Sequence, residues 1–242
     1  MRDYKVETEK RVAFIRKQLE DSGAKGIVFG NSGGKDCALV GILCKMACDN
    51  TVGLMMPCCS DCNYGEDMTD AMTISTLFRI EKRMVDLTKT AEALKKTLNS
   101  ATSLTESAEI NIAPRLRMTS LYAVAAAENR LVAGTGNKSE RHVGYFTKWG
   151  DGAFDFNPIA DLTVAEVRKF LTYLDAPKRI ITKAPSAGLY DGQTDEAEMG
   201  LTYNAIDEYL SSGKCSPEDM EKIANYHKAS AHKRSPPKVY ED

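Results

Sequence analysis

The chain alternates short apolar runs with longer stretches in which apolar residues recur at helical spacing. The run at residues 27–29 (IVF) lies between glycines, a pattern typical of a strand buried on both faces. After a turn, apolar residues recur at i, i+3, i+4 and i+7 up to about Cys48, which predicts an amphipathic helix. The first pattern predicts strands at 27–29, 51–57, 83–87 and 131–135. The second predicts helices at 4–22, 66–78, 88–98, 114–125 and 163–174, together with one from the first turn to 48 and one from 217 onward.

Local signals mark several of these boundaries. Thr88 is expected to cap its helix, and Pro114 stands where a helix can begin. Thr163 and Glu166 have the spacing of a capping box, and Ser216 precedes a proline at the start of the last helix. The polar stretch 99–107 is the best candidate for a linker or mobile loop, and the tail from 233 onward is predicted to be extended.

Buried strands that alternate with helices indicate an α/β fold. We expect a three-layer α/β/α arrangement, with a Rossmann-like parallel sheet of about five strands and helices on both faces. At this length, residues 1–242 are expected to form a single domain. Ligands of such sheets bind at the carboxyl ends of the strands, where the chain order reverses, so the loops 30–37 and 135–141 should face each other.

The turn after the first strand is a candidate phosphate site. A strand, a glycine-rich turn and a helix aim backbone N–H groups and the positive end of a helix dipole at one point. The spacing is neither that of a Walker A loop nor GxGxxG, because Lys35 follows two adjacent glycines and precedes Asp36. Asp36 would repel a bare phosphate, so it is expected to hold a divalent cation that phosphates share. The alternative is a tight turn in which Asp36 only favours the helix dipole.

Composition narrows the partners and the compartment. Hydrophobic residues make up 43% and charged residues 27% of the chain, and the net charge of −2 gives no reason to expect nucleic acid or a membrane surface as a partner. The charged N-terminal stretch predicts no signal peptide, and the apolar runs are too short to span a bilayer. Seven cysteines suit a reduced cytoplasm, and the group Cys58, Cys59 and Cys62 has no second pair at zinc spacing, so plain thiols are the default.

The motifs resemble two nested families. The turn resembles the SGGxDS pyrophosphate loop of the ATP pyrophosphatase superfamily, with Cys37 in place of the last serine. The segments RLRM (115–118), GTGNKSE (134–140), GYFTKWGDG (144–152), NPIADL (157–162), PSAGLYDGQTDEAEMG (185–200) and HKR (232–234) resemble the ammonia-dependent NAD synthetases in sequence and order. The resemblance covers nearly the whole chain. It implies a homodimer that uses ATP, Mg²⁺ and ammonia to amidate deamido-NAD through an adenylate, with release of AMP and pyrophosphate.

The resemblance also implies a role for particular residues. The residues implied for ATP and pyrophosphate are Gly30, Asn31, Ser32, Gly33, Gly34, Lys35, Asp36, Cys37, Thr135 and Ser186. Those implied for deamido-NAD are Arg115, Lys148, Asp155, His232 and Lys233. Asp36 and Glu140 are implied as magnesium ligands, and Asp151 is the acid expected to meet ammonium and take its proton. The implied catalytic residues are Asp36, Asp151 and Lys148. Taken singly, each of these residues has an ordinary reading as a surface or structural side chain.

One departure and one loop qualify the resemblance. The family usually has a lysine that contacts ATP at the position of Val164, so Lys35 or Lys138 would have to substitute, or ATP binds more weakly. A Val164→Lys variant that gains no ATP affinity would remove the idea of a lost contact. The stretch 186–195 is expected to close over the substrates and shield the adenylate from water.

Two other readings remain open on sequence alone. The first is another adenylylating enzyme of the superfamily, of the tRNA-thiolating type, in which the CCxxC group would hold a cluster or sulfur. The second is a nucleotide-binding module that has lost catalysis, for which Cys37 and Val164 are the only support. Retention of both Asp36 and Glu140 favours chemistry, because nucleotide binding alone does not require a paired metal site.

Overall fold

The computed structural model describes residues 2–58, 64–186 and 194–240. Strands and helices alternate through the first half of the chain, and helices dominate the second. The helices and strands are α1 (Tyr4–Ser22), β1 (Gly26–Gly30), α2 (Lys35–Ala47), β2 (Thr51–Met55), α3 (Glu66–Leu77), β3 (Glu81–Met84), α4 (Thr88–Leu98), α5 (Glu106–Ile110), α6 (Ile112–Glu128), β4 (Arg130–Ala133), α7 (Lys138–Val143), α8 (Val164–Tyr173), α9 (Lys178–Thr182), α10 (Asp195–Met199), α11 (Tyr203–Ser212), α12 (Pro217–Ala229) and α13 (Ala231–Arg234).

The strands form a parallel sheet in the order β3-β2-β1-β4. Phe156 adds an isolated parallel bridge to Ala133 beyond β4, so the sheet agrees with the prediction of about five strands. The chain moves from β1 through β2 to β3 and then returns to the other side of β1. The switch point therefore lies between the carboxyl ends of β1 and β4, as the sequence predicted.

Each face of the sheet carries its own apolar core, which confirms the three-layer α/β/α prediction. Successive side chains of a strand point to opposite faces, so Ile27 and Phe29 pack on one side and Val28 on the other. The first face is covered by α1, α2, α3, α8 and α9, and the second by α4 and α6. Because both faces are covered, β1 can be apolar at consecutive positions.

A third apolar cluster lies beside the sheet and supports α7. It is formed by side chains of α7, α8, α10, α11 and α12 and by Leu201: Val143, Val164, Met199, Leu201, Tyr203, Ile206 and Ile223. Val164 is only 1% exposed here. A lysine at this position would place its charge in an apolar cluster, so the Val164→Lys variant would also lose stability.

Several predicted boundaries are confirmed by their hydrogen bonds. Thr163 Oγ1 accepts from the amide of Glu166, and the Glu166 carboxylate accepts from the amide of Thr163, which completes the capping box of α8. Ser216 caps α12 and is followed by Pro217 in its first turn.

Other boundaries were wrong. The third strand begins at Glu81, two residues before the predicted start, because this edge strand is largely exposed and carries little apolar pattern. Thr88 is the first residue of α4 and not its cap, because the N-cap position is taken by Leu87. Pro114 lies inside the first turn of α6, which begins at Ile112, and the residues after 105 already form α5. Lys233 lies within α13 and not in an extended tail.

Across the described ranges, none of the helices combines the length and apolar character needed to cross a bilayer.

Candidate active site

The glycine-rich turn is shaped by its contact with α3. Gly33 has φ of 77°, in the left-handed region, and a Cβ at this position would overlap the carbonyl oxygen of Asp67. Asn31 is buried, and its amide donates to Ala71 O (3.2 Å) and Ser75 Oγ (3.1 Å) while its Oδ1 accepts from Gly33 N. The side chain of Asn31, predicted to contact ATP, is therefore engaged in holding the turn on α3.

The thiol that replaces the expected serine is held inside the turn. Ser32 Oγ lies 3.1 Å from Cys37 Sγ and accepts a hydrogen bond from Gly34 N. Burial raises the pKa of the Cys37 thiol, so it stays a neutral, weakly polar neighbour of the phosphate site.

The two predicted metal ligands are joined through a single residue, Asn137. Its side-chain amide donates to Asp36 Oδ1 (3.1 Å) and its backbone amide donates to Glu140 Oε2 (3.0 Å). Asn137 Oδ1 also accepts from Glu140 N, which makes it the N-cap of α7 in a complete capping box. This contact confirms the prediction that the loops after the first and fourth strands face each other.

The environment of these two acids favours a cation. Burial is the largest cause of a strong upward shift in the pKa of Glu140, the Asp36 charge adds to it, and Lys35 opposes it. Lys35 Nζ lies 2.8 Å from Asp36 Oδ2. Lys35 and Lys138 are the two candidates to replace the family's lysine at the position of Val164. Of these two, Lys35 lines the cavity described below and Lys138 does not.

A cavity of about 670 Å³ opens at the switch point and gathers most of the predicted residues. The predicted residues that line it are Gly30, Asn31, Ser32, Gly34, Lys35, Asp36, Cys37, Thr135, Glu140, Asp151, Ser186 and Lys233. A second cavity of about 380 Å³ adjoins it and is lined by Lys148 and Trp149. The two share the wall formed by Gly136, Glu140, Phe146, Asp151 and Lys233. The larger cavity reaches from the phosphate turn to the GYFTKWGDG segment, because Tyr145, Phe146 and Thr147 also line it.

Asp151 and Lys233 form the boundary between the two cavities. Asp151 is exposed to the cavity and accepts a hydrogen bond from Thr147 N (2.9 Å). The surrounding protein removes water from its carboxylate, which raises the pKa of Asp151. Lys233 Nζ donates to the carbonyls of Gly144 and Phe146, each at 2.8 Å, and burial lowers its pKa while the Asp151 charge opposes this. A carboxylate with a raised pKa, next to fixed positive charge, is suited to exchanging a proton with a bound amine.

Four predicted residues line neither cavity. Arg115, Asp155 and His232 are exposed and line neither space. The Asp155 carboxylate accepts from Val132 N (2.7 Å) and from the hydroxyl of Tyr122 (3.2 Å), so it fastens the segment after β4 to the sheet edge. Gly33 also lines no cavity, because its role is the turn itself. Residues 187–193 of the stretch 186–195, which is predicted to close over the substrates, lie outside the described residues, as do Cys59 and Cys62.

Sequence reasoning missed Arg117, which lines the larger cavity, and Asn137, which lines neither cavity but links Asp36 and Glu140. Arg117 lines the larger cavity and donates from Nε to Met56 O (3.1 Å), and burial lowers its pKa. Its signal was the RLRM motif, in which the first arginine was preferred over the second. Asn137 could have been found from the Asn-x-x-Glu spacing of a capping box in GTGNKSE.

Asp36 and Glu140 suit a magnesium ion that is also bound by a nucleotide. The two carboxylates do not form a complete metal site without it. Among residues 2–58, 64–186 and 194–240, no group of three or more His, Cys, Asp or Glu side chains is arranged to hold a metal ion. Mg²⁺ commonly uses one or two carboxylates and takes its other oxygens from phosphates and water. Asp36 and Glu140 supply that number of hard oxygen ligands next to the phosphate turn.

A parallel sheet with a glycine-rich phosphate turn at its switch point, beside paired carboxylates, defines a nucleotide-binding α/β enzyme. The family model described as NAD synthase matches residues 7–237. The chain belongs to the NAD synthase family.

The relatives cover the chain almost completely. The NH₃-dependent NAD⁺ synthetase of Carboxydothermus hydrogenoformans is 45% identical over 240 residues, which are 98% of each chain. Among solved structures, the NMN synthetase of Francisella tularensis has a TM-score of 0.94 and 36% identity over 99% of both chains. The NH₃-dependent NAD synthetase of Campylobacter jejuni, solved with a nitrate ion, has a TM-score of 0.80 and 31% identity over 100% of both.

Proposed function

We propose that the chain joins ammonia to the nicotinate carboxylate of deamido-NAD with ATP as co-substrate, giving NAD, AMP and pyrophosphate. The observation that carries this proposal is the bridge that Asn137 makes between Asp36, in the phosphate turn, and Glu140, both of which line a cavity that Asp151 also lines. Family membership supports the same reaction.

The first step activates a poor electrophile. A carboxylate repels nucleophiles and would have to expel oxide, so transfer of AMP onto it supplies a phosphate leaving group instead. The turn residues Ser32 to Cys37 and the N-terminus of α2 hold the departing pyrophosphate with backbone N–H groups. Asp36 and Glu140 would hold Mg²⁺, which, when bound, offsets charge on the α and β phosphates.

The second step needs ammonia in its neutral form. We assign Asp151 the role of binding ammonium through its charge and accepting a proton from it, which its raised pKa favours. Ammonia then attacks the adenylated carbonyl, and AMP leaves. Lys148, in the wall of the adjoining cavity, and Lys233 are the cations placed to hold the substrate near Asp151.

The test is a coupled assay with deamido-NAD, ATP, magnesium and ammonium that follows NAD and AMP together. Equimolar NAD and AMP are expected, and Asp36→Asn should abolish both. The exposed Asp21→Asn is the matched control and should keep wild-type turnover. AMP without NAD would indicate another acceptor, as in a thiolating enzyme. ATP binding without either product would indicate a module that has lost catalysis.

A second candidate substrate is the mononucleotide, nicotinate mononucleotide. The observation that favours it is the similarity to the NMN synthetase, whose TM-score of 0.94 exceeds the 0.80 of the NAD synthetase from Campylobacter jejuni. The chemistry at the carboxylate is the same, so only the binding of the rest of the nucleotide differs. The ratio of kcat/KM for the two substrates, measured with the same protein, decides between them.

We also propose that a second copy of the chain completes the substrate site. Arg115 and His232, which the family resemblance assigns to deamido-NAD, are exposed and do not line the cavities of their own chain. Mixing inactive Asp36→Asn and Arg115→Ala proteins under subunit exchange should then restore about one quarter of wild-type activity, because half of the sites in a mixed dimer are intact. No recovery, or a monomer in sedimentation, would refute the shared site. The cytoplasmic location stays a prediction.

A further inference from the structure

Lys35 occupies a position that is unfavourable for a lysine. It is the first residue of α2, where the helix dipole favours negative charge, and it is only 4% exposed. Removing an ammonium group from water is costly unless opposite charges compensate for it. A charged lysine that is both buried and at a helix N-terminus therefore requires strong compensating partners.

The compensation comes from the acids of the site. Lys35 Nζ lies 2.8 Å from Asp36 Oδ2, and its charge is further stabilised by Glu140 and Asp195. On its other side the ammonium lies 5.7 Å from the ring centre of Tyr203, whose hydroxyl donates to Asp195 Oδ2 (2.9 Å). A single buried cation thus lies among three carboxylates.

Lys35 also borders the space in which phosphates would lie. Lys35 lines the larger cavity together with Ser32, Gly34 and Asp36. A fixed positive charge beside Asp36 reduces the local negative potential that attracts a divalent cation. The same charge attracts the triphosphate of a nucleotide. One side chain is therefore placed to oppose metal binding by the free protein and to favour nucleotide binding.

We propose that Lys35 is a resident counter-cation that makes divalent-metal binding at Asp36 and Glu140 depend on ATP. In the free protein the ammonium neutralises Asp36 and keeps the pair from binding a metal ion alone. When ATP arrives, its phosphate oxygens give the ammonium a second acceptor and supply further oxygen ligands, and the carboxylates become available to the metal. This inference rests on the proposed use of Asp36 and Glu140 as metal ligands with ATP.

The test measures binding and requires no turnover. Mn²⁺ is titrated by calorimetry into the free, full-length protein without nucleotide, and ATP is titrated separately in the presence of EDTA. Lys35→Met should bind Mn²⁺ at least about 10-fold more tightly than wild type, because a neighbouring positive charge has been removed. The same variant should bind metal-free ATP about 10-fold more weakly.

The matched control is Lys138→Met. Lys138 lies on α7, two residues before Glu140, but it does not line the cavity. Its replacement should leave both affinities within about 2-fold of wild type, because a charge that is outside the cavity and partly exposed is screened by solvent. Lys35→Arg, which keeps the charge, should retain weak Mn²⁺ binding by the free protein.

The outcomes separate this inference from the proposed function. Unchanged Mn²⁺ affinity in a folded Lys35→Met variant overturns the inference, even if the wild type makes NAD. If thermal melting shows that Lys35→Met does not fold, Lys35→Gln, which can still donate to Asp36, is titrated in the same way and decides the question. Tighter Mn²⁺ binding in a neutral variant supports the inference even if deamido-NAD proves not to be the substrate.

Discussion

At the scale of single residues, Asn137 connects the two halves of the site. It is fully buried, and it caps α7 while donating to Asp36 and to Glu140. Each hydrogen bond is modest in itself, but together they fix the relative positions of two carboxylates from distant parts of the chain. Asn137 is therefore a positioning residue.

Asn137→Ala should lower kcat/KM about 10–100-fold, as expected when a group that orients metal ligands is removed. The loss of the cap should also cost about 1 kcal/mol of stability. Thr163→Ala is the matched control, because it removes the cap of the other complete capping box, on α8. A similar loss of stability in both variants, with a rise in the magnesium concentration needed for activity in Asn137→Ala alone, is the expected result. Equal effects on magnesium dependence would contradict the positioning role.

Replacing Glu140 should raise the stability of the protein at high pH and lower its activity. Its pKa is higher in the folded protein than the ordinary value of 4.5, so folding takes up a proton and stability falls as pH rises from 4.5 through the raised pKa. Glu140→Gln does not titrate and can still accept the hydrogen bond from Asn137 N. The measurement is the difference in melting temperature between the variant and the wild type in EDTA. From pH 4.5 to pH 8, this difference should shift by a few degrees in favour of the variant. The variant should also lose activity, and a difference in melting temperature that does not depend on pH would refute the argument.

At the scale of elements, the phosphate turn and α3 form one unit. Gly33 packs against Asp67, and Asn31 bonds to the backbone and side chains of α3. The same end of α3 is linked to the segment after α9, because Lys183 Nζ lies 2.7 Å from Asp67 Oδ1 and 2.8 Å from Asp70 Oδ2. Movement of α3 would therefore displace the turn.

Gly33→Ala should disrupt the contact between the phosphate turn and α3. The variant has both a left-handed φ and a direct overlap with the Asp67 carbonyl, so a loss of about 2–4 kcal/mol is expected, with ATP binding weakened further. Gly213→Ala is the control, because Gly213 has φ of 72° with open space around it. That variant should lose only about 1 kcal/mol and bind ATP normally. Calorimetric ATP titration and urea unfolding measure both effects, and equal losses would contradict the overlap argument.

At the scale of the whole molecule, the cavity depends on all three apolar clusters. The clusters on the two faces of the sheet fix β1 and β4, and the third supports α7 with Glu140. A ligand that binds in the cavity thus contacts elements held by each cluster. The organisation of residues 1–242 as one domain stays a prediction.

ATP should stabilise the protein as one cooperative unit. At an ATP concentration of about 100 times Kd, linkage gives about 2.7 kcal/mol, or a rise in melting temperature of about 5–10 °C. Scanning calorimetry should show a single transition with and without ATP. Two transitions, of which ATP shifts only one, would mean that the chain contains two domains.

Local patterns predicted those features that depend on neighbours in the sequence. The buried run of β1, the glycine-rich turn, the capping box of α8 and the motifs around Asp36, Glu140 and Asp151 were all recognisable in this way. The edge strand β3 was misplaced because exposed strands carry little apolar signal, and Thr88 was wrongly predicted to be a cap because the N-cap position is taken by Leu87.

Contacts between distant residues were decided only by the tertiary structure. The sequence placed Asp36 and Glu140 in facing loops, but only packing of β4 beside β1 allows Asn137 to bridge them. Only the fold shows that Lys35 is buried among acids, that Arg117 rather than Arg115 reaches the cavity, and that Asn31 holds α3. The sequence alone determined the chemistry carried by each segment, because residue types and short spacings are local. The tertiary structure decided which charges meet, because that depends on how the elements pack.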